Sequence, residues 1–136
     1  MNLIIDANIL FSVLIRSGKT EELLFDSRLN LFAPEFIFEE FLKYKEFILN
    51  KTNRINEEFE TLINILEKRI NLIENYKLNK YLFNAKNITP DKNDALYFAC
   101  ALYLNCAIWS NDKLLKSQNE ILIYSTTDLL KLFKLI

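Results

Sequence analysis

The stretch "DKNDALYFACALYLNCAIWSND", residues 91–112, decides how this chain folds. From Ala95 to Trp109 it carries no charged side chain. An apolar run of that length predicts a buried helix over 91–104 feeding a buried strand over 106–109. Its flanks are the opposite: Asp91 and Asp94 stand before the apolar run and Asp112 stands after it. Capping and turn formation account for such acids one at a time. A metal ion held where the strand ends accounts for them together.

The same alternation extends in both directions. "NLII" (2–5) is a short apolar run stopped by Asp6, the pattern of a strand buried on both faces. "NILFSVLIR" (8–16) reads as a helix closed by Gly18, and Thr20 can cap a short second helix through "EELLF". "LNLFAP" (29–34) is a second strand. "PEFIFEEFLKYKEFIL" (34–49) reads as a helix with Pro34 in its first turn and Phe38, Phe41, Leu42 and Ile48 on its apolar side. "RINEEFETLINILEKR" (54–69) repeats apolar residues at helical spacing, so 34–69 is expected to form a helical hairpin joined near "NKTN". "INLI" (70–73) is a third strand, followed by a Lys- and Asn-rich helix or turn to about Ile88. After the opening stretch come a turn or short helix in "NDKLLK", a fifth strand "ILIY" (121–124) and a last helix over 125–135, capped by Thr126 or Thr127. Strands alternating with helices imply crossover connections and a mostly parallel sheet.

Composition narrows the chemistry. At 136 residues and 51% hydrophobic, the chain suits one compact domain, residues 1–136. With one glycine and two prolines, long linkers and glycine-rich phosphate loops are not expected. No apolar run reaches the roughly 18 residues of a membrane span, and "MNLIIDANIL" lacks the features of a signal peptide. A cytoplasmic protein is therefore expected. Cys100 and Cys106 sit in apolar contexts and read as reduced core residues. There is no histidine, which removes Ser-His-Asp, Cys-His and His-based metal chemistry. A net charge of −1 does not suit a protein that coats nucleic acid, yet it leaves room for a nuclease whose bound cations restore positive charge locally.

Ligands of open α/β sheets bind beyond the carboxyl ends of the strands, near the point where strand order reverses. Asp6 follows the first strand, Asp112 lies three residues past Trp109, and Asp94 opens the helix leading into that strand. Three carboxylates brought together there repel one another unless a cation intervenes. A hard divalent ion suits oxygen ligands of this kind. A fourth acid is available at Glu39 or Glu40, which fall on different sides of their helix, and periodicity does not choose between them. The alternatives are local: Asp91 as an N-cap with Asp94 as its capping-box partner, Asp112 in an Asx turn, Asp6 initiating a helix, and Glu39 and Glu40 as solvated charges.

The segments "LIIDANIL", "APEFIFEEFLKY", "DKNDALYFACAL" and "AIWSNDKLL" resemble the four acidic motifs of PIN-domain nucleases, in order and context along nearly the whole chain. The likeness is to small single-domain PIN proteins of the VapC toxin type. It implies a three-layer α/β/α sandwich around a mostly parallel sheet of about five strands, and Mg²⁺- or Mn²⁺-dependent cleavage of RNA. It implies Asp6, Glu40, Asp94 and Asp112 as catalytic acids, with Asp6, Asp94 and Asp112 on the metal. Asn8, Asp91 and Ser110 become contacts to substrate or to those acids. Arg16, Lys92 and Lys113 are the nearest basic residues for phosphate. The partners implied are RNA and a cognate antitoxin protein, with the 34–69 hairpin as a dimer face, an antitoxin groove or simply core.

The competing reading is a non-catalytic PIN-like module that binds RNA or protein. Other α/β enzymes fit less well. A haloacid-dehalogenase-type phosphatase wants an Asp where Asn8 stands, and a receiver domain wants one after the third strand, where "INLIEN" offers only Glu74. A dinucleotide fold wants glycines after the first strand, and Gly18 is the only glycine.

Overall fold

Five strands form one wholly parallel sheet in the computed structural model, which describes residues 1–15 and 18–136. They are β1 (Asn2–Ile5), β2 (Asn30–Pro34), β3 (Ile70–Ile73), β4 (Ala107–Trp109) and β5 (Ile123–Tyr124), in the order β3-β2-β1-β4-β5. Helices α1 (Ala7–Ile15) and α2 (Lys19–Leu24) connect β1 to β2. Helices α3 (Ile37–Lys43), α4 (Lys45–Thr52) and α5 (Asn56–Arg69) connect β2 to β3. Helices α6 (Asn75–Leu78), α7 (Leu82–Ile88) and α8 (Ala95–Leu104) return the chain to β4, and α9 (Thr126–Leu132) follows β5. The α/β architecture expected from the sequence is the one observed. Arg16, named above as a phosphate contact, lies outside the described residues.

Parallel strands require crossovers, and crossover helices cover both faces of the sheet. Leu3, Ile4 and Ile5 are accordingly fully buried, which is why "NLII" shows no polar alternation. Helix α8 packs against β1, β2 and β4 and is buried nearly all round, at Ala95, Tyr97, Phe98, Ala99, Cys100 and Ala101. Asn105 ends it in the left-handed conformation (φ 50°), and the Cys106 N–H then donates back to the Ala101 carbonyl at 3.1 Å. This closure lets a buried helix turn directly into a buried strand. Both cysteines are free thiols, with Cys100 buried. Among the described residues no helix is long and apolar enough to cross a membrane.

Several boundaries differ from the sequence reading. Pro34 does not open a helix; it ends β2 opposite Ile73, and α3 starts at Ile37. The expected 34–49 helix is broken at Tyr44 into α3 and α4. Leu42 is 58% exposed, because it is rotated about 100° from the buried Phe41 on the same helix. β5 is limited to Ile123–Tyr124, since its partner β4 offers only Ile108 and Trp109 for pairing. Gly18 stands at the N-cap of α2 with φ 142°, a conformation open to glycine, and Thr20 lies inside that helix. The cap of α9 is Ser125, whose Oγ accepts the Asp128 N–H while Asp128 accepts the Ser125 N–H, a capping box. Thr126 instead ties β4 to α9, its Oγ1 accepting from Trp109 Nε1 at 3.1 Å and from Asn111 at 3.0 Å.

Arg69, the last residue of α5, fixes the crossover between α2 and β2. Its guanidinium donates to the carbonyls of Leu24 (2.6 Å), Asp26 (3.0 Å) and Leu29 (2.8 Å). Burial lowers its pKa, and Asp26 opposes that shift. Arg69→Met keeps the apolar stem and removes all three donors. It is expected to lower stability by roughly 2–4 kcal/mol, given the strength of charge-assisted hydrogen bonds. A lowered urea midpoint with unchanged m-value checks this; an unchanged midpoint contradicts it.

Candidate active site

The strand order reverses between β1 and β4: the chain builds outward from β1 through β2 to β3, then returns to the other side of β1. Residues just beyond these two strands therefore become neighbours. Asp6 N–H donates to the Trp109 carbonyl (3.1 Å), and Ser110 N–H donates to the Tyr124 carbonyl (3.0 Å), so both remain tied to the sheet. Across the gap the buried Ser110 Oγ donates to Asp6 Oδ2 at 2.7 Å. The same serine oxygen accepts the Asp112 N–H at 3.1 Å. One serine thus locks the first acid and sets the backbone leading to the last.

Local capping and site formation are the same event here. Asp6 Oδ1 accepts the Asn8 N–H (3.1 Å) as α1 begins. Asp91 Oδ1 accepts the Asn93 N–H (3.0 Å) at the 3₁₀ turn Lys92–Asp94. Asp112 Oδ1 accepts the Leu114 N–H (3.0 Å) at the 3₁₀ turn Lys113–Ser117. The capping explanations for these three acids are therefore realised, each with one carboxylate oxygen. Asp94 is different. It stands at the N-cap of α8 but makes no side-chain cap hydrogen bond, so it is not a capping-box partner of Asp91. Of the two glutamates, Glu39 is exposed and Glu40 is the one beside Asp6.

The electrostatics record this gathering. Burial, and then the negative charges of Asp6, Asp91, Asp112 and Glu40, push the Asp94 carboxyl up to about 6. Burial and Asp6 also raise Glu40, which Lys43 partly offsets. Among the described residues no Lys or Arg forms an ion pair with any of these five acids. Lys92 and Lys113 are exposed, next in chain to Asp91 and Asp112. The acids share an electrostatic field without closing on one point: among the described residues no three His, Cys, Asp or Glu side chains are grouped as a chelating cluster.

This donor set still fits a hard divalent cation. It offers only oxygen, and Mg²⁺ takes one or two carboxylates while keeping several waters. The uncompensated repulsion at Asp94 is the charge a cation would neutralise. Zinc, which favours nitrogen and sulfur, suits the set poorly.

Sequence reasoning missed Tyr97. It lies one helical turn after Asp94, on the same face of α8, and is 4% exposed. Its hydroxyl is buried without a hydrogen bond of ordinary geometry. Burial and the charges of Glu40 and Asp6 hold its phenol protonated, with the pKa well above normal. The i, i+3 spacing from Asp94, in a helix otherwise almost without polar groups, was the available signal.

A family model described as the PIN domain matches residues 4–123. The fold is also similar to that of a chain in the crystal structure of VapBC2 from Rickettsia felis bound to a DNA fragment from their promoter. The TM-score is 0.67 at 18% sequence identity, covering 92% of this chain and 98% of that one. Comparison with curated protein sequences finds no match.

The raised Asp94 carboxyl has a consequence for stability. A group with a raised folded-state pKa stabilises the fold below its unfolded value of 3.8, and that contribution is lost as pH rises through about 6. The full shift corresponds to roughly 3 kcal/mol, reduced to about 1 kcal/mol by solvent at a half-exposed carboxylate. In EDTA, Asp94→Asn is therefore expected to be more stable than wild type at pH 7, the gap closing towards pH 4. Thermal melts across that range check it; a less stable variant at pH 7 contradicts it.

Proposed function

The chain belongs to the PIN-domain family, and on that premise we propose that it is a metal-dependent endoribonuclease, the toxin of a type II toxin–antitoxin pair. The observation that carries this reading is the electrostatic coupling of Asp94 to Asp6, Asp112 and Glu40, acids from three other segments, which together with burial raises its carboxyl to about 6. Structural likeness to a chain of the VapBC2 assembly supports a protein partner. We assign that partner as a cognate antitoxin. The exposed apolar residues of the α3–α5 hairpin, among them Leu42, Ile55 and Ile65, give a protein partner or a second copy of the chain a surface to bury.

In this reading Asp6, Asp94 and Asp112 hold Mg²⁺ or Mn²⁺. When bound there, such an ion would supply Lewis-acid chemistry toward the phosphodiester. Ser110 keeps Asp6 in one rotamer by donating to its Oδ2, so its oxygens need no reorganisation when substrate arrives. Asp94 is largely ionised above about pH 6 and therefore ready to bind a cation near neutrality. Glu40, raised by burial and Asp6, is placed to take up the proton of an attacking water. Asn8 and Asp91 border the acids and are assigned to substrate positioning.

Purified protein incubated with labelled mixed RNA is expected to cut in Mn²⁺ or Mg²⁺ and not in excess EDTA. Asp94→Asn is expected to remove cutting, and Ser110→Ala to reduce it by roughly 10–100-fold, as loss of a group supporting a metal ligand does. Cutting by Asp94→Asn at the wild-type rate would refute the site. Wild-type protein that binds RNA but never cuts it, with or without ions, would favour the non-catalytic binding module.

A further inference from the structure

A cavity opens beside Asn8 and Glu40. Its volume is about 420 Å³, and it shares Asn8 and Glu40 with the site described above. That volume lies within the roughly 300–1,000 Å³ of small-ligand pockets. Away from the acids its wall is apolar and aromatic: Phe11, Ile15, Tyr44 and Phe47, with Lys43 beside them. The aromatic wall is braced from behind. Phe11 meets the fully buried Phe41 edge to face at 4.8 Å, and Tyr44 at 5.3 Å. Tyr44 is the residue at which α3 breaks from α4, and α4 packs on α1, so the break shapes this cavity. Tyr44 and Phe47 are 53% and 58% exposed, so both rings are open to a ligand.

We propose that this cavity binds an unpaired nucleobase of the RNA strand, next to the phosphate presented to the acids. The proposal rests on the nuclease reading for the identity of the strand, and on the cavity for the base. Three observations select a base over other occupants. The cavity is lined in part by Asn8 and Glu40, two residues of the site proposed above, so a group bound there lies beside that site. Glu40 in its lining disfavours an anionic occupant, whereas a base is neutral and its exocyclic amino group can donate to a carboxylate. The wall carries the rings of Phe11, Tyr44 and Phe47, and a base stacks on aromatic side chains with little regard to sequence. Lys43, also in the lining, forms no ion pair within 4 Å among the described residues, and beside its effect on Glu40 it offers positive charge to an adjoining backbone phosphate. Double-stranded RNA keeps its bases stacked inside and cannot enter, so the cavity selects single-stranded segments.

The test uses fluorescein-labelled oligoadenylate and oligouridylate, with an abasic strand of equal length as the reference, and follows anisotropy in EDTA so that nothing is cut. Wild type is expected to bind the base-bearing strands more tightly than the abasic one. Phe47→Ala is expected to weaken them by roughly tenfold or more, as removal of a stacking ring does, and to leave the abasic strand unchanged. Phe47→Trp keeps a ring and is expected to restore binding, with its indole emission quenched by the base. Because Phe47 is largely exposed, these variants should melt as wild type does. Base-bearing strands that bind no better than the abasic strand overturn the proposal. So does Phe47→Ala that binds RNA as wild type while releasing a co-expressed antitoxin, which would assign the cavity to a protein segment. Ion-dependent cutting of mixed RNA, run in parallel, separates the two readings. Cutting without base-dependent binding removes the cavity assignment alone, and base-dependent binding without cutting removes the nuclease alone.

Discussion

When β4 enters the sheet beside β1 rather than beyond β3, the ends of two strands far apart in sequence come side by side, and Ser110 Oγ can donate to Asp6 at 2.7 Å. Everything chemical about the molecule follows from that pairing. It sets α8 across β1 and β4 with Asp94 at its start, and it throws Asp112 into the turn that Ser110 also anchors. The apolar content of β1 and α8 makes the pairing possible, since a strand buried on both faces needs a continuous hydrophobic run. The acids sit at the ends of elements that are held mainly by this apolar packing.

Carboxylates that repel one another and, among the described residues, form no ion pair oppose folding. Asp94 carries that opposition most visibly, with its carboxyl held near 6. The core supplies the compensation: Trp109, Phe41, Phe59 and Phe98 are fully buried, and large aromatic residues contribute heavily to core stability. Capping contributes too. Asp6, Asp91 and Asp112 each satisfy a backbone N–H that would otherwise be orphaned, so acids proposed for the ion or the substrate also cap the starts of helices and turns. A local structural role and a functional one therefore coexist in one residue and are not rivals.

Much of this was legible from the sequence, for physical reasons that also explain the gaps. β1 was readable to the residue because a doubly covered strand shows as an apolar run, "LII", and β3, an edge strand with Asn71 and Leu72 exposed, was readable from its short Ile- and Leu-rich segment "INLI". Asp6, Asp94 and Asp112 were locatable because they interrupt such runs. The break at Tyr44 was invisible: no proline or glycine marks it, and it depends on how α3 and α4 each pack against α1. The length of β5 was set by its partner and not by its own residues. Ser125 could not be preferred over Thr126 as a cap until Trp109 and Asn111 were seen to occupy the threonine. Arg69 and Tyr97 escaped because their surroundings are assembled from distant segments. The cavity beside Glu40 escaped for the same reason, as it exists only where α1 meets the α3–α4 break.

The central claim is that the crowded acids around Asp94 constitute a site for a divalent cation. Titration calorimetry with Mn²⁺, in pairs of buffers of different ionisation enthalpy, tests it without any substrate. Because Asp94 is raised to about 6, binding at mildly acidic pH must displace its proton. Close to one proton per ion is expected at about pH 5, falling towards zero by about pH 8. Asp94→Asn should lose both the affinity and the proton release. An ion that binds the variant as tightly as wild type, or binds wild type at acidic pH without releasing a proton, would contradict the account.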